Sequence, residues 1–215
     1  MTHTIPRLHL ISDRALCPLD HFVSVAAAVV AAGVHAVHLR ERDLPAGDLL
    51  DLARRLRSGV GDRAAVIVND RLDVALVARA DGVQLPERGL SVRDARSIVG
   101  DRLLVGCSVH DAGGAARAAA EGADYVLAGN VYASRSKPGM AGRGPGFIAD
   151  VAATARLPVI ALGGVTAERV PEVMAAGAAG IAVISAILAA RDPSVAAADL
   201  RNAVDAAWEQ GVSCR

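Results

Sequence analysis

Residues 158–186, PVIALGGVTAERVPEVMAAGAAGIAVISA, contain the pattern that decides the fold. Residues 159–162 and 181–184 are short apolar runs rich in β-branched side chains, and an Ala-rich segment separates them. Strands that are buried on both faces are continuous apolar runs of this kind. Gly177 follows the Ala-rich segment, and a glycine there ends a helix in the left-handed conformation. The stretch therefore predicts a strand–helix–strand unit.

The same pattern repeats along the whole chain, where Gly33 and Gly122 also stand just before apolar runs. We predict strands at residues 8–11, 36–39, 65–68, 82–85, 103–107, 125–128, 159–162 and 181–184. We predict helices near residues 20–32, 45–56, 72–78, 91–99, 112–121, 146–154, 166–176 and 194–208. A unit of about 27 residues that recurs in this way favours a (β/α)8 barrel over a doubly wound open sheet. We expect a single domain spanning residues 1–215.

The composition is that of a globular protein and excludes several other classes. Hydrophobic residues make up 53% of the chain and aromatic residues 2%, and 23 basic residues balance 23 acidic ones. So much apolar surface without net charge excludes a disordered chain. The chain also lacks the basic field and the aromatic stacking platforms of nucleic-acid-binding proteins. We therefore expect no nucleic-acid partner.

The cysteines and the apolar runs predict the cellular setting. Cys17, Cys107 and Cys214 are widely spaced and form no CxxC pair, which is typical of a reduced, intracellular compartment. The first residues do not have the pattern of an export signal. The longest apolar run, residues 22–34, is shorter than the ~20 residues of a membrane helix. We predict a cytoplasmic protein with no membrane partner, whose Ala-rich outer helices leave room for a homodimer.

Polar residues gather where the predicted strands end. They are Ser12-Asp13, Arg40-Glu41-Arg42, Asn69-Asp70, Gln84, Ser108 and His110, Asn130, Gly163-Gly164, and Ser185. In a (β/α)8 barrel the chemistry takes place at the carboxyl ends of the strands. We therefore expect these residues to share one site.

The ends of the seventh and eighth strands predict a phosphate site. Gly163 and Gly164 allow the backbone to approach an anion closely, and Ile184 and Ser185 stand at the corresponding place after the next strand. Barrels commonly bind phosphate between these two loops. The alternative is that the two glycines only form a tight turn.

Strands two and three supply the next candidates. His38 and Arg40 are two residues apart, so their side chains leave the same face of the strand. The guanidinium of Arg40 suits a carboxylate or a phosphate. His38 would lie one layer lower, either near a ligand or as a hydrogen-bonded core histidine. Asn69 and Asp70 would hold a substrate ring or Mg²⁺, or would only cap the following helix.

The segment after the sixth strand, residues 129–144, is the longest one without a predicted helix. It contains Ser134, Ser136 and Lys137, and Lys137 is the only lysine of the chain. Long loops in compact domains are usually functional or disordered. We predict that Lys137 meets an anion, the alternative being an ordinary surface lysine.

These strand ends together resemble the thiamine-phosphate synthase/TenI family over nearly the whole chain. The matching runs are residues 38–42, 69–76, 83–86, 106–110, 129–144, 161–166 and 182–187. Ordered matches at seven different strand ends are much more specific than any single motif. The resemblance implies a (β/α)8 barrel, as the periodicity does independently.

The synthase branch of this family joins a hydroxymethylpyrimidine diphosphate to a thiazole phosphate. The resemblance implies Mg²⁺ held by acidic residues after strands three and four. Asp70 matches the first of these, whereas Gly89 stands at the second. Ser134, Ser136 and Lys137 match the diphosphate-binding Thr-x-Thr-Lys of the synthases.

The TenI branch is more similar at residues 84–86 and 108–110, which include Ser108. Its activity is a metal-free tautomerisation of a carboxythiazole phosphate. The resemblance implies that Gly163, Gly164, Ile184 and Ser185 bind the phosphate, with the carboxylate near Arg40. It also implies a catalytic histidine after Gly129, where this chain has Asn130.

An amide cannot take a proton at neutral pH, so Asn130 would only position or polarise the substrate. His38 is then the best-placed base. We predict a TenI-type isomerase that binds a phosphorylated thiazole and needs no cofactor. The alternatives are a thiamine-phosphate synthase, with Mg²⁺ on Asp70, and a non-catalytic thiazole-phosphate-binding regulator.

Overall fold

Eight parallel strands close into a barrel in chain order in the computed structural model, which describes residues 4–134 and 139–213. The strands are β1 (Leu8–Ile11), β2 (Ala36–Leu39), β3 (Ala65–Asn69), β4 (Gly82–Leu85), β5 (Leu104–Val109), β6 (Tyr125–Gly129), β7 (Val159–Leu162) and β8 (Gly180–Val183). Each strand pairs with its neighbour in sequence, and β8 closes the barrel by pairing with β1, where Val183 lies opposite Leu10.

The helices alternate with the strands and surround them. They are α1 (Leu19–Ala31), α2 (Ala46–Val60), α3 (Leu72–Val77), α4 (Val92–Val99), α5 (Ala112–Ala120), α6 (Pro145–Ala155), α7 (Val170–Ala175), α8 (Ser185–Leu188) and α9 (Pro193–Ser213). Short 3₁₀ turns cover Gly61–Arg63, Gly100–Arg102 and Ala167–Arg169. The prediction of a single-domain (β/α)8 barrel is confirmed.

The predicted strand boundaries agree with the structure to within two residues, whereas α2 and α9 continue four and five residues beyond their predicted ends and α7 begins four residues late. Two strand differences concern the site. β5 continues to Val109, so Ser108 belongs to a strand rather than to the loop after it. β8 already ends at Val183, which places Ile184 in the turn before α8. α8 itself was not predicted, because four residues are too few to show a helical period.

Glycines join helices to strands where the sequence predicted them. Gly33, Gly122 and Gly177 have φ values of +112°, +92° and +101°. An L side chain rarely adopts this region, whereas glycine enters it at little cost. The predicted left-handed helix ends are confirmed at all three joints.

The apolar core has two layers. The larger layer lies between the barrel and the helices, and it contains the outward residues of the strands, such as Val37, Val66 and Val83. The smaller layer fills the barrel with Ile11, Ala36, Ile67, Leu104, Tyr125, Leu127, Ile160 and Ala182. Burial on both faces explains why the strands are continuous apolar runs.

Two aspartates, Asp81 and Asp124, tie helices to strands in the same way. Asp81 Oδ2 accepts hydrogen bonds from Val66 N in β3 at 2.7 Å and from Arg57 Nη1 in α2 at 2.6 Å. Asp124 Oδ2 accepts hydrogen bonds from Val105 N in β5 at 2.7 Å and from Arg96 Nη2 in α4 at 2.6 Å. Each aspartate thus fixes one helix against the barrel.

Within the described ranges, no helix combines the length and the hydropathy that a membrane crossing requires.

Candidate active site

A cavity opens at the carboxyl ends of the strands, as expected for this fold. Among its lining residues are ten of the predicted site residues: His38, Arg40, Asn69, Ser108, Asn130, Ser134, Gly163, Gly164, Ile184 and Ser185. Asp70 does not line the cavity, and its side chain is exposed. Ser136 and Lys137 lie outside the described residues, so their predicted contacts with an anion stay predictions.

The glycine pair after β7 is packed directly against the segment that follows β6. Gly163 has a φ of +105° and Gly164 a φ of +64°. A Cβ on Gly163 would lie 2.5 Å from Asn130 Cβ, and one on Gly164 would lie 2.5 Å from Ala133 O. Both positions therefore require glycine for conformation and for space.

Ile184 and Ser185 line the same cavity as the glycine pair and follow the neighbouring strand β8. Backbone hydrogen bonding in α8 starts at Ile187 N, which donates to Ile184 O at 3.2 Å. The N–H groups at the start of a helix have no partner within it, so those of Ser185 and Ala186 have none in α8. This arrangement fits the predicted phosphate site.

Asn130 holds the two ends of the β6–α6 segment together. Its Nδ2 donates to Tyr132 O and to Ala141 O, at 3.3 Å each. Gly144 N also donates to Val131 O at 2.8 Å, so the segment returns next to its own start. The amide nitrogen of this buried residue is thus engaged in the loop. The structure gives Asn130 a loop-anchoring contact that the sequence did not predict.

Two arginines give the cavity a positive wall. Arg40 is half-buried and Arg42 is exposed, and neither forms an ion pair with a carboxylate of the described chain. Burial and the neighbouring Arg42 lower the pKa of Arg40. Asp13 and Glu41 oppose this lowering, and an anionic ligand would add charge-assisted hydrogen bonds to the guanidinium.

Ser12 holds the end of β2 in position. Its hydroxyl donates to Glu41 Oε1 at 2.6 Å and accepts from Arg40 N at 2.8 Å. Burial raises the pKa of Glu41, and the hydrogen bond from Ser12 opposes that rise. These two hydrogen bonds therefore fix the backbone from which the Arg40 side chain extends.

His38 lines the cavity floor, and one of its two ring nitrogens forms a hydrogen bond. His38 Nε2 lies 2.8 Å from His9 Nδ1, and His9 Nε2 lies 2.7 Å from Pro6 O. Burial lowers the pKa of His9 to about 4 and lowers that of His38 well below its usual value. Both imidazoles are thus neutral near pH 7. The two interpretations of His38 from the sequence are therefore compatible, because it is a hydrogen-bonded core histidine that also lines the cavity.

Further polar residues complete the wall formed by β4 and β5. Gln84 Nε2 donates to Ser108 Oγ at 3.1 Å. Glu87, which lines the cavity, lies with Oε2 2.7 Å from His110 Nδ1. Sequence reasoning did not select Glu87 or His9. Glu87 could have been predicted as a site residue from its position two residues after β4. His9 could have been predicted from its position as a lone polar residue inside an apolar strand.

Asn69 and Asp70 do not cap the next helix. The residue before α3 is Arg71, and no side chain caps this helix. The capping alternative is therefore wrong, because Asp70 has a φ of +65° and its N–H donates to Gln84 O at 2.9 Å. A Cβ on Gly89 would lie 3.0 Å from Asp70 Oδ1. Position 89 thus adjoins Asp70 but provides no second carboxylate.

The family described as Thiamine monophosphate synthase matches residues 8–187, a span that contains all eight strands and the whole cavity. The chain belongs to this family. A thiamine-phosphate synthase of Methanoculleus marisnigri is 42% identical over 95% of this chain and 98% of its own. A thiamine-phosphate synthase of Anaeromyxobacter dehalogenans is 44% identical over 86% and 83%. The structure of the thiamine phosphate pyrophosphorylase from Pyrococcus furiosus superposes with a TM-score of 0.85 at 32% identity, over 94% and 96% of the two chains.

These relatives show that the predicted isomerase is wrong. They carry the name of a transferase, thiamine-phosphate synthase, and nothing among them singles out the TenI branch. The geometry gives a physical reason. Asn130 is engaged in the loop, and His38 is a neutral imidazole whose pKa is lowered by burial. Asn130, which the sequence predicted only to position or polarise the substrate, cannot act as a base, and His38, the predicted base, is a weak one because burial lowers its pKa.

Proposed function

We propose that this protein is a thiamine-phosphate synthase, which joins a hydroxymethylpyrimidine diphosphate to a thiazole phosphate. The observation that carries the proposal is the 42% identity over 95% of the chain to a protein of that name. The cavity supports it, because it combines a phosphate-type cradle, formed by Gly163, Gly164, Ile184 and Ser185, with two arginines that form no ion pair among the described residues. These features suit two substrates that both carry phosphate groups.

The proposed reaction transfers a pyrimidinylmethyl group from a diphosphate to a thiazole nitrogen. The bond from the pyrimidine methylene to the diphosphate oxygen breaks, and a bond from that carbon to the thiazole nitrogen forms. The diphosphate leaves with the electron pair, so negative charge develops on it. In this proposal Gly163, Gly164 and Ser185 hold the thiazole phosphate, while Arg40 and Arg42 stabilise the leaving diphosphate.

The Mg²⁺ that the family resemblance implies would have one carboxylate, Asp70. The described residues contain no group of three His, Cys, Asp or Glu that could hold a metal, and Gly89 removes the second implied ligand. Mg²⁺ is commonly bound by one or two carboxylates together with substrate phosphates. Asp70 would be the one carboxylate, but it does not line the cavity, so the diphosphate would have to supply most ligands of such an ion.

The test is a direct assay with the pyrimidine diphosphate, the thiazole phosphate and Mg²⁺. We expect diphosphate and thiamine phosphate to form in equal amounts, and no diphosphate to form when the thiazole is omitted. Arg40→Gln should lower kcat/KM about 10- to 100-fold, because it removes a charged hydrogen-bond donor from the cavity.

Arg54→Gln, the same change on the exposed face of α2, should leave kcat/KM within about twofold. The proposal is wrong if the thiazole phosphate binds in calorimetry while no diphosphate is released.

A further inference from the structure

Two histidines lie fully inside the barrel, one above the other. His9 is 0% and His38 1% exposed, and their ring centroids are 5.0 Å apart. The proposed reaction uses neither as a base. Two histidines in a barrel interior filled mainly with apolar groups need a separate explanation.

The hydrogen bonds determine where the protons lie. Pro6 O is a carbonyl oxygen and can only accept, so His9 Nε2 carries its proton. His9 is neutral near pH 7, because burial lowers its pKa to about 4. Its Nδ1 is therefore an acceptor, and the partner of that nitrogen, His38 Nε2, must donate to it. His38 is neutral for the same reason, so its Nδ1 carries no proton.

The remaining nitrogen is the one that a ligand can reach. His38 lines the cavity, and its Nε2 is engaged by His9. Nδ1 is thus the ring nitrogen left for a bound molecule. It offers a lone pair and no hydrogen, so it favours a ligand donor and disfavours a ligand acceptor.

We infer that His9 is a positioning residue, which fixes the tautomer of His38 and thereby makes the cavity floor select a ring that carries an N–H donor. The hydrogen-bond chain runs from the cavity to Pro6 O, a backbone group that cannot reverse its role. A side-chain partner in place of Pro6 O could rotate and would not fix the direction of the hydrogen bonds in this way. His9 therefore transmits a constraint from the backbone to the ligand.

The class of ligand follows from this constraint, and this step depends on the proposed function. Of the two proposed substrates, the hydroxymethylpyrimidine diphosphate carries an amino group on its ring, whereas the thiazole carries no N–H group. A site built around one hydrogen-bonding group rejects an analogue that leaves its buried partner unpaired. His38 Nδ1 should therefore contact the pyrimidine amine.

The first test measures the tautomer by ¹⁵N NMR of histidine-labelled protein near neutral pH. His38 is assigned by comparison with His38→Gln. We expect the wild-type protein to show His9 and His38 both protonated on Nε2 alone. A proton on His38 Nδ1 would overturn the inference, and this readout does not require activity.

The second test measures dissociation constants by calorimetry. His9→Phe keeps a flat ring but removes both nitrogens, so His38 should lose its fixed tautomer. We expect Kd for the pyrimidine diphosphate to rise about 3- to 10-fold, the loss of one hydrogen bond, and Kd for the thiazole phosphate to stay unchanged.

Tyr125→Phe is the matched control. Tyr125 is buried with its ring 5.8 Å from that of His9, but its hydroxyl has no hydrogen-bond partner among the described residues. The Tyr125→Phe substitution should leave the His38 tautomer and both Kd values unchanged. The inference is overturned if His9→Phe shifts both Kd values equally or shifts neither. An inactive wild-type protein with the expected tautomer and a tight pyrimidine site would contradict only the proposed function.

Discussion

At the scale of single residues, a glycine inside the barrel decides where buried polar atoms can lie. A Cβ on Gly106 would come within 2.3 Å of Gln84 Oε1 and 2.5 Å of the Tyr125 hydroxyl. Both oxygens are buried and without a hydrogen-bond partner among the described residues. Gly106 thus makes room for two polar side chains under the cavity. A buried unpaired hydroxyl is a free-energy cost that a substitution can remove.

Tyr125→Phe should therefore stabilise the protein. We expect the free energy of unfolding in urea to rise by up to about 1 kcal/mol, and Tm by about 2–4 °C. Tyr132→Phe is the control, because the Tyr132 hydroxyl donates to Glu172 Oε2 at 2.7 Å. That change should be neutral or slightly destabilising. A clear loss of stability in Tyr125→Phe would show that its hydroxyl is paired.

Gly164→Ala should damage both the fold and the phosphate cradle. The new Cβ would lie 2.5 Å from Ala133 O at a φ of +64°, so we expect a loss of about 2–3 kcal/mol in unfolding free energy. Calorimetry should show at least about tenfold weaker binding of the thiazole phosphate. Gly146→Ala, in open space on α6, should be neutral or stabilising. Equal effects of the two substitutions would contradict the assigned cradle.

At the scale of elements, the strands were predictable and the turns around the site were less so. β1, β2, β4 and β7 have the predicted bounds, because mainly apolar runs between glycine or polar residues mark strands buried on both faces, even where a single polar residue interrupts the run. The glycine signals also predicted three helix ends. The short α8 and the 3₁₀ turn before α7 depend on tertiary packing and leave no periodic pattern.

The aspartates that join helices to strands give a prediction at this scale. Asp124→Asn should lower the unfolding free energy by about 2 kcal/mol, because it replaces a carboxylate that accepts from both Arg96 and a strand N–H. Denaturant titration measures this loss. Asp81→Asn should cost a similar amount, and the two losses should add. Asp48→Asn, an exposed position in α2, should change stability by less than about 0.5 kcal/mol.

At the scale of the whole molecule, the location of the site was predictable and its chemistry was not. The barrel period alone placed Arg40, Ser108 and Gly163 at one end. The predicted reaction is wrong because the missing carboxylate at Gly89 was weighed against the synthase branch, and the similarity of residues 84–86 and 108–110 in favour of the TenI branch. Asn130, which departs from the TenI pattern, was given too little weight, and the structure shows it holding a loop. The His9–His38 contact joins two strands, and no local pattern in the sequence shows it.

The buried histidines predict how the stability of the whole protein depends on pH. The folded-state pKa of His9 is lowered to about 4, so the unfolded chain binds this proton more readily. The stabilisation is complete above about pH 6.5 and is lost as the pH falls towards 4. His38 acts in the same direction.

Urea unfolding measured near pH 7.5 and near pH 5 should therefore show a loss of about 2 kcal/mol from His9 alone. The loss should be smaller in His9→Phe, since phenylalanine does not titrate. Identical losses in the two proteins would mean that His9 is not buried in its neutral form.

The backbone contacts beside the cradle also determine which parts can be exchanged between relatives. Val131 N donates to Leu162 O and Tyr132 N donates to Gly163 O, both at 2.9 Å, so the ladder between β6 and β7 continues into the two loops. The segment after β6 and the turn after β7 are therefore one structural module. A chimaera that imports a relative's residues 130–144 should fold best when it also imports that relative's residues 162–166, and a graft of either piece alone should be the less soluble product.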